Sequence, residues 1–431
     1  MLTRGASITS RLRATAGLLL ILWSGWFAGP AGAGDLQDTI KNLYGGQGIR
    51  VEPSPFFPVE TRFQASSLQG LDQLNSQLTS AIGVPSFNSS VAGFTFDIER
   101  GIPVQTTESL GPLLTERATT LGARKLDVNF SYTRVNFTKL QGKDLDNLEL
   151  IFRRNDVNQG CDPNIPQFLA RCDTIRTNLQ VDLTEDIFAL IATYGLTSVW
   201  DVGFVIPVTH IRLSANSQAT IRDQSNNLGG TSNGGIPIHQ FGSVSNCDPP
   251  VDPPSSTSTC DAHGGGDETG LGDIILRTKY NFLRNYDGFI PDLAFLVEVK
   301  LPTGDENQLL GTGGTNVSGF IIASKTYGRW FTPHVNLGYE IDTKDTQESS
   351  FRYALGFDAR VFPELSLAAD VIGLYKPNGT GIGDHITDLS LGAKWNPIKS
   401  LILRANFQIP LDKNSGLRAD YIPTVGIEYI F

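Results

Sequence analysis

The chain has 431 residues, with 34 Lys and Arg against 44 Asp and Glu, a net charge of −10. That balance argues against nucleic acid as a partner, because phosphate binding is built on basic patches. Only 40% of residues are hydrophobic, 45 are Gly, and no run approaches about 18 apolar residues, which excludes a transmembrane helix.

Arg4, Arg11 and Arg13 flank the start of an apolar stretch, Ala16 to Leu22, and Ala31-Gly32-Ala33 supplies the small residues of a cleavage site. Residues 1–33 are therefore expected to be a secretory signal peptide. Its loss lowers 34 basic residues to 31 against an unchanged 44 acidic ones, a net charge near −13. Residues 34–122 follow with a different pattern. Leu68, Leu71, Leu74, Leu78 and Ile82 recur at near-helical spacing, and Leu110 to Leu121 reads as a second short helix. This partly helical segment is expected either to plug a lumen or to cap its periplasmic rim.

Residues 123–431 alternate apolar with small or polar residues. Side chains on a strand point to opposite faces in turn, so the spacing predicts strands near 126–139, 174–194, 199–213, 271–284, 289–301, 315–328, 332–342, 350–360, 363–376, 385–396, 401–411 and 421–431. The fold class is all-β: a transmembrane antiparallel up-and-down β-barrel of about 12 strands, an even number as single-chain bacterial barrels require. In 401–411, Leu401, Leu403, Ala405, Phe407 and Ile409 face outward and Arg404, Asn406 and Gln408 inward; the last strand ends on Tyr429 and the terminal Phe431. Short joins alternate with long ones, the longest being an expected exposed loop at 214–270. Trp200, Trp330 and Trp395 all lie beside short joins, as an interfacial aromatic girdle demands. A soluble sandwich would bury the regular apolar face and rarely aim charges systematically at the other.

By parity, the lumen candidates are Arg277, Lys279, Glu298, Lys300, Glu340, Arg352, Asp358, Arg360, Lys394, Arg404 and Glu428. They are expected to form cross-strand ion pairs that line or seal the interior, some of them touching solute. Cys161 with Cys172 and Cys247 with Cys260 lie close in pairs in loop-like sequence. With no flanking His or further Cys, local disulfides fit better than zinc. His334 falls inward near a periplasmic end, whereas His210, His239, His263 and His385 lie in or beside expected loops. His263 with Asp261, Asp267 and Glu268 reads as a solvated acidic loop rather than a metal site. Gly264–Gly266 and Gly311–Gly314 lack the strand–loop–helix setting of a phosphate loop. No cofactor or metal is implied, and no Gly-x-Ser-x-Gly nucleophile elbow is expected.

YGLTSVWDVGFVIPV (Tyr194 to Val208), GLGDIILRTKYNFL (Gly270 to Leu283), VEVKLPTGDEN (Val297 to Asn307) and LGPLLTERATTLGARKLDVNFSY (Leu110 to Tyr132) resemble the outer-membrane barrel family named after the meta-pathway of phenol degradation. The resemblance implies a transport-type barrel, akin in architecture to fatty-acid and hydrocarbon channels, for aromatic or other hydrophobic small molecules. The Asn-Pro-Phe hatch of the fatty-acid channels is missing near the amino terminus. The expected function is passive passage of such a solute across the outer membrane of a Gram-negative bacterium, with outer-membrane lipid and the barrel assembly machinery as partners. The alternatives are a structural or adhesive barrel, or a lipid-acting enzyme.

Overall fold

In the computed structural model the described residues are 35–44, 50–51, 61–62, 94–97, 102–105, 109–153, 174–222, 239–240, 257–284, 288–328, 330–379, 383–398 and 400–430. Twelve antiparallel strands form the wall: β1 (Leu126–Leu140), β2 (Thr174–Gly195), β3 (Trp200–Arg222), β4 (Ile274–Leu283), β5 (Asp292–Leu301), β6 (Asn316–Ser324), β7 (Phe331–Asp342), β8 (Ser350–Phe362), β9 (Leu365–Tyr375), β10 (His385–Ile398), β11 (Leu401–Pro410) and β12 (Ile422–Ile430). Each pairs with its sequence neighbours, and β12 pairs back onto β1 at Ile427 opposite Phe130, closing the sheet. Closure leaves no unpaired ladder edge in the twelve-strand wall among the described residues, the condition for putting strands in lipid.

The outer face carries Phe130, Phe204, Leu276, Phe295, Ile321, Leu337, Leu355, Leu391, Phe407 and Val425, all exposed. Trp200, Trp330 and Trp395 are also exposed, each beside a short join. An apolar belt bounded by indole rings on a closed barrel is a surface built for a bilayer, and this is an outer-membrane protein. The expected count of 12 strands and the outward and inward faces of β11 agree with the structure.

Three expectations are corrected. The 214–270 stretch is not one loop, because β3 continues to Arg222 and a further strand, Thr257–Leu271, pairs with Val208–Arg222. Another short strand, Leu148–Arg153, pairs with the start of β2. Outward positions on β2 read Phe188 and Tyr194 near the membrane but Arg176, Asn178, Gln180 and Asp182 beyond it, while Ile175, Leu179, Val181 and Leu183 are buried behind them. The outer face thus turns from apolar to polar, as it must when a strand leaves lipid for water, while the inner face stays apolar, from Ile191 and Ile187 to Ile175, and packs over a core. Sequence parity alone treats such a strand as ending at the membrane surface.

The core of this overhang is filled by a short helix, Thr39–Leu43, with the turn Leu36–Asp38 before it. Leu36, Ile40, Leu43 and Tyr44 are buried against Leu148, Phe152, Leu179, Leu213 and Ala262. At about 1.5–3 kcal/mol for each fully buried large side chain, these four anchor the segment. The Tyr44 hydroxyl lies 2.9 Å from Ser217 Oγ, and burial raises its pKa despite that contact.

The second correction concerns Leu110 to Leu121, which is not helical but a bent, extended strap without regular structure. Pro112 lacks a donor, and Gly111 and Gly122 have φ of 91° and 94°, conformations that end a helix rather than extend it. The third concerns histidines: His210 and His263 sit within strands and His239 in a two-residue strand, His239–Gln240, whereas His385, the first residue of β10, borders a loop as expected. The leader, the Leu68–Ile82 stripe, Cys161, Cys172, Cys247 and the Cys260 side chain lie outside the described residues.

Candidate functional site

Ser109 to Gly122 runs along the inner wall at the end of the short joins, and the wall satisfies its backbone. Any buried non-repetitive chain must find partners for its N–H and C=O groups. Here inward polar side chains supply them strand by strand. Lys394 on β10 donates to Leu110 O at 3.3 Å, and Leu110 N donates to Ser366 Oγ at 2.9 Å. Asp370 on β9 accepts from Leu113 N, Leu114 N and the Thr115 hydroxyl at 3.3, 2.9 and 2.9 Å. Asn336 on β7 brackets Glu116, accepting its N–H at 2.7 Å and donating to its carbonyl at 2.9 Å. Ser324 accepts from Ala118 N, Asn281 donates to Ala118 O, and Asp201 on β3 accepts from Leu121 N.

Two charged side chains of the strap lock it in place. The Glu116 carboxylate accepts from Arg277 Nη2 at 2.7 Å and Lys279 Nζ at 2.9 Å. Burial opposes its ionisation, but the two cations outweigh it and hold the carboxyl below its usual range. Arg117 grips Asp358 through Nε at 3.0 Å and a second contact from Nη2, a forked geometry available to guanidinium. His334, between Asp358 and Asp370, places Nε2 3.0 Å from Asp370. Where the strap turns into β1, a Cβ on Gly195 would meet Gly122 O at 1.8 Å. Only glycine permits that close backbone approach.

Above the strap lies a cavity of ≈ 520 Å³. Leu114 and Glu116 form part of its lining, with Ile187, Ile275, Leu296, Phe320 and Ile372 as apolar wall, interleaved with polar residues of the same strands such as Glu185, Arg277, Glu298 and Ser318. Toward the outer end it reaches Asp342, Lys344, Lys376, Arg418 and Gln37, the last tethered through its N–H to Asn307 O at 3.0 Å.

The structure distributes the lumen candidates over three places. Arg277, Glu298, Lys300, Glu340, Arg352 and Arg404 line the cavity. Glu298 lies 3.2 Å from Arg277, Lys300 donates to Thr312 Oγ1 at 2.7 Å, and Glu340 accepts from Arg352, Asn316 and Ser318. Lys279, Asp358 and Lys394 hold the strap, and Glu428 lies 4.0 Å from Lys394. Arg360 sits half-buried beside the β8–β9 join, donating to Phe362 O. Parity found these residues but not the strap's short partners, Asp370, Asn336, Ser324, Ser366 and Asp201. Their signal was available as small polar residues recurring on inward positions near the short joins.

One string does fit the nucleophile-elbow pattern, against expectation: Gly230-Thr231-Ser232-Asn233-Gly234. It lies outside the described residues, in a sequence, SNNLGGTSNGG, without the apolar strand that such an elbow follows.

Residues 167–361 match the family described as "Putative MetA-pathway of phenol degradation". The matched stretch includes the candidates from Arg277 to Arg360, while the strap and Arg404 lie beyond it. No curated protein sequence matches the chain. Among solved structures, the COG4313 outer membrane channel from Pseudomonas putida F1 aligns at a TM-score of 0.44 and 13% identity, covering 74% of this chain and 100% of that one. The Ralstonia pickettii toluene transporter TbuX aligns at 0.33 and 9%, covering 72% and 90%. A Pseudomonas aeruginosa FadL homologue aligns at 0.31 and 9%, covering 71% and 89%.

Proposed function

We propose that this barrel is a passive channel for small hydrophobic or aromatic molecules, with part of residues 34–122, the strap Ser109–Gly122, restricting its periplasmic mouth and acting non-enzymatically. The cavity carries this reading. Its ≈ 520 Å³ falls within the roughly 300–1,000 Å³ of small-molecule sites, and its apolar wall offers a compact ring or chain a surface to leave water for. A sealed scaffold has no need of such a space, and its interior would be filled by side chains. Solute enters from the outer loops, occupies the cavity and leaves when the strap is displaced. His334 is buried beneath that strap and turned to Asp370, a position that serves positioning rather than hydrolysis.

The test is deletion of residues 34–122 with the signal retained, followed by liposome uptake of toluene and single-channel recording. Faster uptake and higher conductance in a heat-modifiable, inserted barrel are expected. Unchanged permeability in a correctly inserted deletion protein would make the segment a peripheral tail.

A further inference from the structure

Seven basic side chains line the cavity, and six have a carboxylate within 4 Å. Arg277 meets Glu116 and Glu298, Lys300 meets Asp273, Arg352 meets Glu340, Lys344 meets Glu306, Lys376 meets Glu348 and Arg418 meets Asp388. Arg404 is the exception. It is 7% exposed, it lines the cavity, and its Nε has no hydrogen-bond partner among the described residues. Glu428 and Asp127 are close enough to interact electrostatically without bonding its guanidinium.

An unpaired buried guanidinium is costly, yet the surroundings are shaped to keep it. Across the ladder from Arg404 stands Gly426, whose added Cβ would lie 2.5 Å from Arg404 Nε. Beyond Gly426 comes Ser131, and one step outward Thr133 and Thr424 bond to each other at 2.9 Å. These small neighbours make room for the Arg404 side chain, whose Nε packs against Gly426 while the residue lines the cavity.

We infer that Arg404 is the recognition residue of a subsite for a monoanionic carboxylate borne on an apolar body, such as an aromatic carboxylate. This rests on the channel reading and names a solute class for it. A planar carboxylate matches the two parallel donors of guanidinium, while the apolar wall takes the ring. Nearby Glu428 and Asp127 penalise a dianion more than a monoanion, which disfavours phosphate.

The test uses the full-length protein in detergent, titrated calorimetrically with sodium benzoate, with benzyl alcohol as the neutral analogue and with sodium chloride. Benzoate should bind at least about tenfold more tightly than benzyl alcohol, the worth of one charge-assisted bond. Arg404→Gln should abolish that preference. Gly426→Ala, which keeps the charge but crowds the fork, should weaken benzoate binding and provides a second variant should Arg404→Gln fold poorly. Equal benzoate affinity in wild type and both folded variants, or chloride bound as tightly as benzoate, would overturn the assignment. Parallel uptake assays separate the two readings: Arg404-dependent binding without benzoate or toluene uptake supports the subsite and refutes the channel, whereas toluene uptake with no Arg404-dependent binding refutes the subsite alone.

Discussion

Glu116→Gln is the sharpest perturbation of the strap. The side chain keeps its shape but loses the charge that Arg277 and Lys279 both face at 2.7 and 2.9 Å, with all three side chains about 5% exposed. Removing one partner of a buried ion pair costs about 3–5 kcal/mol, because the remaining charge stays buried and uncompensated. Glu298, 3.2 Å from Arg277, retains one of the two cations, which puts the expected value at the lower end, about 3 kcal/mol. The loss falls on strap docking, since the barrel ladder does not involve Glu116, and it corresponds to roughly a hundredfold rise in the undocked population. The assay is the labelling rate of Thr119→Cys by a membrane-impermeant maleimide, in the Glu116→Gln and Glu116 backgrounds and with the native cysteines replaced. Adding Lys279→Gln to Glu116→Gln should restore part of the protection, a coupling that a double-mutant cycle measures. A labelling rate within threefold of the Glu116 background would refute the claim that this ion cluster holds the strap.

The same lock has a pH dependence. Because Glu116 is held below its ordinary value, its contribution is fully present above about pH 4.5 and is lost as pH falls through the lowered folded value; labelling of Thr119→Cys should rise only in that acidic range, and release beginning above pH 6 would contradict the assignment. The change of the outer face of β2 from apolar to polar fixes the edge of the membrane belt: Phe188→Arg, at 52% exposure within the belt, should cost up to about 2–4 kcal/mol in urea unfolding from lipid vesicles, while Asn178→Arg should be neutral, and equal costs would move the boundary. Mass mapping of the exported protein should find Cys161 bonded to Cys172 and Cys247 to Cys260, and four free thiols or crossed pairs would refute the local-loop reading.

Period-2 alternation made the barrel legible because every wall strand obeys two different solvents, lipid outside and a polar lumen inside. Leu403, Arg404 and Ala405 already state which side is which. The overhang was illegible for the same reason. Beyond Asp186 the outward positions of β2 turn polar while Leu183, Val181 and Leu179 stay apolar on the inner side, so a rule tuned to lipid-facing strands stops at the membrane edge. The strap misled in another way. Leu110, Leu113, Leu114, Ala118 and Leu121 mimic helical spacing, yet the donors and acceptors that decide its conformation come from Asp370, Asn336 and Ser324, more than 200 residues away in sequence. Arg404 was visible by parity as an inward cation, but its lack of a partner depends on Gly426 and on where Glu428 points, which no single-strand pattern encodes.

The strap's chemistry also bears on whether it can leave. An apolar plug would be held by area removed from water, and withdrawing it would expose both plug and wall at about 25 cal/mol per Å². This strap is held in both ways: Leu110, Leu113, Ala118 and Leu121 are buried, and its backbone is hydrogen-bonded to wall side chains such as Ser366, Asp370, Asn336 and Asp201. Each such bond is worth only about 0.5–1.5 kcal/mol net when water can replace the lost partner. Once the strap is displaced, the same wall side chains become the hydrated lining of an open lumen and stay satisfied. The exceptions are the pairs at Glu116 and Arg117: Lys279 and Asp358 lose their strap partners and must be rehydrated, while Arg277 keeps Glu298 at 3.2 Å. Among its polar contacts the docking strength is therefore concentrated at two adjacent residues, while the buried leucines add about 1.5–3 kcal/mol each. A restriction built this way opens when the charged knot breaks and those leucines leave the wall with it.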